Sequence, residues 1–347
     1  MLSLLRLQRV LARSVLMRTL AIFSLPWFCL SCSQLADHGP ISAKTQIQME
    51  AMALTKDEFI QQMKRTNSRP TQSVTLPFSM KAGVPVLNAA INGHGFSPIM
   101  LDTGASRTMI NASTAVAKKV HVLRAVDATV ELQGVVGREQ GRIGLLNPLV
   151  LGEWSLNGYP CLVRTFENRV AYTQGGPRAF PESLLGFDVA LNACSFLTLD
   201  YRSKNVTFGF GKSFESQAGK RTAHAPFKVK QGVPMIHLQS GKVGWDAIVD
   251  TGSFNGIEIS EEVAGHLGVK DKGRRVEGLF LMSVGGTVSS AQANMRTVKL
   301  PDLTLVGDQY KDAEVDISPG PPRVGSYFLK DYRVTFDFRR KQFWLEW

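Results

Sequence analysis

Two copies of one short pattern constrain this chain more than anything else in it. In Ile99-Met100-Leu101-Asp102-Thr103-Gly104-Ala105-Ser106, three bulky apolar residues run into an acid, a hydroxyl and a glycine. Ala247-Ile248-Val249-Asp250-Thr251-Gly252-Ser253 repeats the pattern. An apolar run of this kind reads as a buried strand. A carboxylate at its end is costly to bury unless it is hydrogen-bonded or shares a proton. Two such ends in one chain therefore make each acid the natural partner of the other.

The flanks repeat as well. Gly83-Val84-Pro85-Val86 opens the segment leading to Asp102, and Gly232-Val233-Pro234-Met235 opens the one leading to Asp250. Helix-like stretches follow each acid, at 111–119 and 260–267. Next come glycine-punctuated hairpins, Gly134-Val135-Val136-Gly137 and Ser283-Val284-Gly285-Gly286. Leu184-Leu185-Gly186 and Arg323-Val324-Gly325 occupy matching later positions, and similar strands close both halves. The 31 glycines and 16 prolines suit many short strands joined by turns. Each half is long enough for a small β core of its own. The expected layout is a first lobe over 74–212, a linker rich in Gly, Ser and Lys over 213–231, and a second lobe over 232–347.

Residues 1–31 read as a targeting segment. Four arginines precede the apolar run Thr19–Leu30, which Pro26 interrupts and which is short for a membrane span. Leu30-Ser31-Cys32 resembles the end of a bacterial lipoprotein signal, with Cys32 the lipidation candidate, although Cys29 stands where leucine is usual. Residues 32–73 read as a tether and a short helix starting near Thr55 and Glu58, which have capping-box spacing. The net charge of +11 includes the leader arginines. The remaining basic residues are scattered, so a nucleic-acid partner is not expected. Cys161 and Cys194 either pair or stay as buried thiols. With no CxxC pair and no HExxH motif, neither a metal nor another cofactor is expected.

The duplicated Asp-Thr-Gly turns, the hairpins and the later glycine segments resemble the aspartic peptidases over roughly residues 80–347. They are most similar to bacterial retropepsin-like proteins with two fused copies. The resemblance implies an all-β, bilobal fold of two tandem closed, barrel-like lobes with short helices. It also implies a catalytic dyad of Asp102 and Asp250. The chemistry agrees: two adjacent carboxylates share one proton, so one can activate water while the other protonates the substrate carbonyl. By the same resemblance, Thr103 and Thr251 hold the two turns together across the lobes. Gly104 and Gly252 let backbone N–H groups approach the acids. Ser253, facing Ala105 in the repeat, is expected to hydrogen-bond the outer oxygen of Asp250 and favour its ionised form. Val135, Val136, Gly137, Val284 and Gly285 fall where flaps would cover a substrate cleft.

The leading expectation is an exported aspartic endopeptidase acting on peptide or protein substrates, tethered in the bacterial periplasm through a lipidated Cys32. Because one chain supplies both acids, it is expected to work as a monomer with its own lobes paired. The alternative is a catalytically weak or inactive module of the same fold that binds peptides or envelope partners.

Overall fold

The computed structural model describes residues 70–122, 129–164, 170–173, 176–179, 183–284 and 286–347. The leader, Cys32, most of the tether and the expected helix near Thr55 lie outside the described residues. The fold is all-β and bilobal, and among the described residues the helices are short.

Each acid sits at the C-terminal end of a strand held on both sides. Phe96–Asp102 runs antiparallel to Val84–Ile91 and parallel to Leu184–Gly186, where Gly186 lies opposite Asp102. Val243–Asp250 runs antiparallel to Val233–Ser240 and parallel to Arg323–Gly325, where Gly325 lies opposite Asp250. The apolar residues leading to each acid are buried: Ile99, Met100 and Leu101 in one lobe, Ala247 and Val249 in the other. In the second lobe Ala247 and Val249 share one buried face, and a slip of one residue would turn that face outward, which fixes the register there.

The helices after the acids are one or two turns long. Ala112–Ala117 is capped by Asn111, whose Oδ1 accepts from the Thr114 N–H at 3.0 Å. Glu261–His266 is capped by Ser260, whose Oγ accepts from Val263 N–H at 3.2 Å. Both caps satisfy a donor that the first turn leaves without an intrahelical acceptor.

A six-stranded antiparallel sheet joins the lobes. Its order is Val74–Pro77, Asn205–Gly209, Phe196–Asp200, Arg333–Asp337, Gln342–Glu346, Thr222–Pro226. The central pair crosses between lobes, with Leu197 opposite Phe336 and Thr198 opposite Thr335. The two threonine hydroxyls meet at 2.8 Å in the buried sheet. Phe187 and Phe227 pack edge-on against Phe336, at 5.2 and 5.8 Å between ring centres. The halves are thus bonded to each other through a buried, aromatic-backed sheet as well as through their turns.

Within the stretch expected as a linker over 213–231, Thr222–Pro226 and Lys228–Lys230 form strands. The first pairs with Gln342–Glu346, the second with Val233–Ser240. They read as linker because they are edge strands. Lys228, Val229 and Lys230 are all exposed, so no apolar alternation marks them. No disulfide joins Cys161 to Cys194. Among the described residues no helix is long and apolar enough to cross a membrane.

Candidate active site

The two Asp-Thr-Gly turns meet head-on at the lobe junction. Thr103 Oγ1 donates to the Val249 carbonyl at 2.6 Å and accepts from the Thr251 N–H at 3.0 Å. Thr251 Oγ1 donates to the Leu101 carbonyl at 2.7 Å and accepts from the Thr103 N–H at 3.0 Å. Both threonines are fully buried. Every bond runs from a hydroxyl in one lobe to backbone in the other, so the arrangement is two-fold symmetric.

The same turns leave no room for a side chain at their glycines. A Cβ on Gly104 would run into the Asp250 carboxyl group, and one on Gly252 into that of Asp102. Glycine here is required by the close approach of each acid to the opposite turn. The turns are supported from beneath: Phe187 N–H donates to the Ala105 carbonyl at 2.9 Å, and Ser326 N–H to the Ser253 carbonyl at 2.7 Å.

Asp102 and Asp250 are thereby brought together, part-buried, each carboxyl set against the glycine of the opposite turn. Asp102 Oδ1 also accepts from Ala105 N–H at 3.0 Å. Asp250 Oδ1 accepts from Gly252 N–H at 2.9 Å and Ser253 N–H at 3.0 Å. Burial and the charge of Asp250 hold Asp102 well above the usual carboxylate range. Burial raises Asp250 too, but the Arg323 guanidinium pulls the other way. The two acids therefore titrate as one pair, with the Arg323 guanidinium acting on the Asp250 side.

Ser253 does not act as the sequence suggests. Its hydroxyl turns away from Asp250 and donates to Glu258 Oε2 at 3.1 Å, leaving only its backbone N–H on the acid. Glu258 lies in the buried strand Ile257–Ile259 and takes a two-point grip from Arg323, Nε to Oε2 and a terminal nitrogen to Oε1, each at 2.9 Å. Burial works to raise Glu258, and Arg323 with the surrounding donors overcomes it, holding the carboxyl below its ordinary value. Neither residue was singled out from sequence. A signal existed: Glu258 and Arg323 stand where the first repeat has Ile110 and Leu184, so two apolar positions carry opposite charges together.

The hairpins meet above this floor. Thr129–Gln133 pairs with Arg138–Leu146, and Phe280–Ser283 with Gly286–Ser289. At their tips, Val135 N–H donates to Ser283 Oγ at 2.8 Å. A Cβ on Gly134 would overlap Ser283 Oγ and the Val284 carbonyl. Val284 and Leu132 are buried with Val84, Met100, Met109 and Leu184, against Ala105 and Phe254. Val136 and Gly137 complete the first tip and are only part-buried. Gly285 lies outside the described residues. Asp188 is buried behind the first turn, where Thr108 Oγ1 donates to it at 3.0 Å.

Residues 87–189, which hold the first turn, its hairpin and its glycine strand, match the family described as aspartyl protease. The aspartyl protease match ends before the second lobe, whose turn and grip repeat those of the first. Among solved structures the chain is similar to an aspartic proteinase from Irpex lacteus. The two are 16% identical over 79% of this chain and 96% of that one, with a TM-score of 0.47. No curated protein matches the chain by sequence.

Proposed function

We propose that this protein is an exported aspartic endopeptidase whose Asp102 and Asp250 share one proton and activate one water molecule. The observation that carries the reading is the paired turn, in which backbone donors and the threonine grip hold two carboxyls side by side, each against the glycine of the opposite turn. In the reaction the Asp250 carboxylate takes a proton from water as the water oxygen bonds to the peptide carbonyl carbon. Asp102 gives its proton to the carbonyl oxygen. The resulting tetrahedral diol collapses, the C–N bond breaks, and the leaving nitrogen takes up the proton held by Asp250. Asp102 regains a proton from the diol hydroxyl, so the dyad is restored.

The buried apolar cluster beneath the hairpins suits extended substrates with apolar side chains next to the cut bond. The hairpins act as two flaps that part for the substrate and close over it, excluding water. Covalent fusion of the lobes makes the working unit a monomer. The leader supports export, with lipidation of Cys32 and a periplasmic, membrane-tethered site; the mass of the mature N-terminus tests that point.

The test of function is cleavage of a degenerate peptide library by the purified chain between acid and neutral pH. Cleavage that Asp102→Asn and Asp250→Asn each abolish establishes the endopeptidase. If wild type cuts nothing while binding peptides as well as Asp102→Asn does, the protein is a binding module of the same fold.

A further inference from the structure

The second lobe carries a buried Glu–Arg pair beside the dyad at positions where the first lobe has Ile110 and Leu184. Glu258 is 0% exposed and Arg323 5%. They lie directly opposite each other on antiparallel strands, and the guanidinium also donates to Ser318 Oγ at 3.2 Å. Glu258 receives the Ser253 hydroxyl, and the Ser253 N–H is on Asp250. A chain of contacts thus runs from Arg323 through Glu258 and Ser253 to the carboxylate of Asp250.

The repeat supplies an internal control for what this network does. At the corresponding positions the first lobe has Ala105, Ile110 and Leu184, and it builds the same turn on them. Behind its turn the first lobe has instead the buried Asp188, held by Thr108 Oγ1 at 3.0 Å, so the turn forms without a Glu–Arg pair at these positions. A buried ion pair seldom outperforms well-packed apolar residues in stability, because both charges must leave water. The network has a cost that the architecture does not require.

Its geometry biases the dyad to one side. The guanidinium belongs to the strand paired with that of Asp250, and its field reaches Asp250 more strongly than Asp102. Glu258 opposes this field at Asp250 but does not cancel it. The other charged groups facing the pair are Asp316, on the neighbouring strand Asp308–Ile317 and held by Thr297 Oγ1 at 2.6 Å, and Arg274 beside Asp316. These two carry opposite charges.

We propose that Arg323, fixed by Glu258, is a positioning residue that divides the roles of the dyad. It makes Asp250 the carboxylate that takes a proton from water and Asp102 the acid that donates to the substrate carbonyl. The inference rests on the endopeptidase reading above.

The test is the pH dependence of kcat/KM, measured with a fluorogenic peptide chosen from library cleavage. Glu258→Gln keeps the guanidinium and removes its counter-charge, so the acid limb shifts to lower pH. The triple variant Ser253→Ala, Glu258→Ile, Arg323→Leu copies the first lobe and removes the whole network. Its acid limb shifts to higher pH by about one unit, the smaller end of what a nearby opposite charge achieves. A purely structural role would lower the height of both profiles and leave their midpoints in place. Unmoved midpoints, or shifts in the same direction, overturn the proposal. If the triple variant does not fold, the direction of the Glu258→Gln shift alone decides. Absence of any cleavage by wild type would instead sink the endopeptidase reading itself.

Discussion

The threonine grip gives the most exposed prediction, because its cost can be counted bond by bond. Thr251→Val conserves shape and removes only the hydroxyl. Two bonds disappear: the one donated to the Leu101 carbonyl at 2.7 Å and the one accepted from Thr103 N–H at 3.0 Å. The Thr103 N–H is left in a fully buried site without an acceptor, which costs about 1–3 kcal/mol. The lost donor bond adds about 0.5–1.5 kcal/mol. The sum is about 2–4 kcal/mol, a large share of the stability of an ordinary domain.

Urea unfolding followed by tryptophan fluorescence measures this loss. Thr103→Val makes the mirror-image change and should cost the same within about 1 kcal/mol, since its hydroxyl has the same two roles. Thr251→Ser retains both bonds and loses a methyl, for about 1 kcal/mol. The turns also position the acids, so kcat in the valine variants should fall by about 10–100-fold. A Thr251→Val protein within about 0.5 kcal/mol of wild type would refute the reasoning. So would a serine variant as damaged as the valine one.

Gly252→Ala should abolish cleavage while Gly265→Ala does not, because a Cβ at 252 strikes the Asp102 carboxyl and one at 265 meets open space; activity of the soluble variants checks this. Asp102→Asn should raise the melting temperature at pH 7 by a few degrees. A carboxyl held above its ordinary value contributes stability in acid and loses it as pH rises, so the gain should vanish below about pH 4 in thermal melts. Glu258→Gln runs the other way. A carboxyl held low by Arg323 contributes stability above its unfolded value and loses it as pH falls through the depressed folded value, so the variant should be the less stable protein at neutral pH, with a deficit that starts to shrink below about pH 4 and closes only in stronger acid. Gly134→Val should spare stability yet lower kcat/KM by about 10-fold or more, since its side chain keeps the hairpin tips from meeting.

What could be read from the sequence was local chemistry and its repetition. Asp-Thr-Gly is a turn whose three residues each have a use that depends on near neighbours, so the motif shows itself twice. The grip follows once the turns are paired, because it needs only hydroxyl and backbone. Pairings between distant side chains were not legible. Arg323 and Glu258 are 65 residues apart, and nothing near either one names its partner. The Ser253 hydroxyl had two acceptors within reach, and Glu258 won because a buried carboxylate with a spare lone pair competes strongly for donors. The strands over 222–230 were hidden for another reason. They sit at sheet edges, where exposed lysines and threonine suit the position and alternation carries no signal.

The division between symmetric and asymmetric parts follows from what each must do. Holding two turns together is a task with two equal ends, and backbone groups with one hydroxyl per lobe perform it identically. Hydrolysis with one shared proton has two unequal ends, since one carboxyl must accept while the other donates. A perfectly duplicated site would leave that choice to the substrate. Here the difference comes from side chains behind the turn: Ser253, Glu258 and Arg323 on one side, Ala105, Ile110 and Leu184 at the same positions on the other, where Asp188 is the buried carboxyl. None of these has to move for the Asp-Thr-Gly geometry to persist. A duplicated chain can therefore exchange an apolar trio for a charged one in a single lobe and gain chemical direction while keeping its fold.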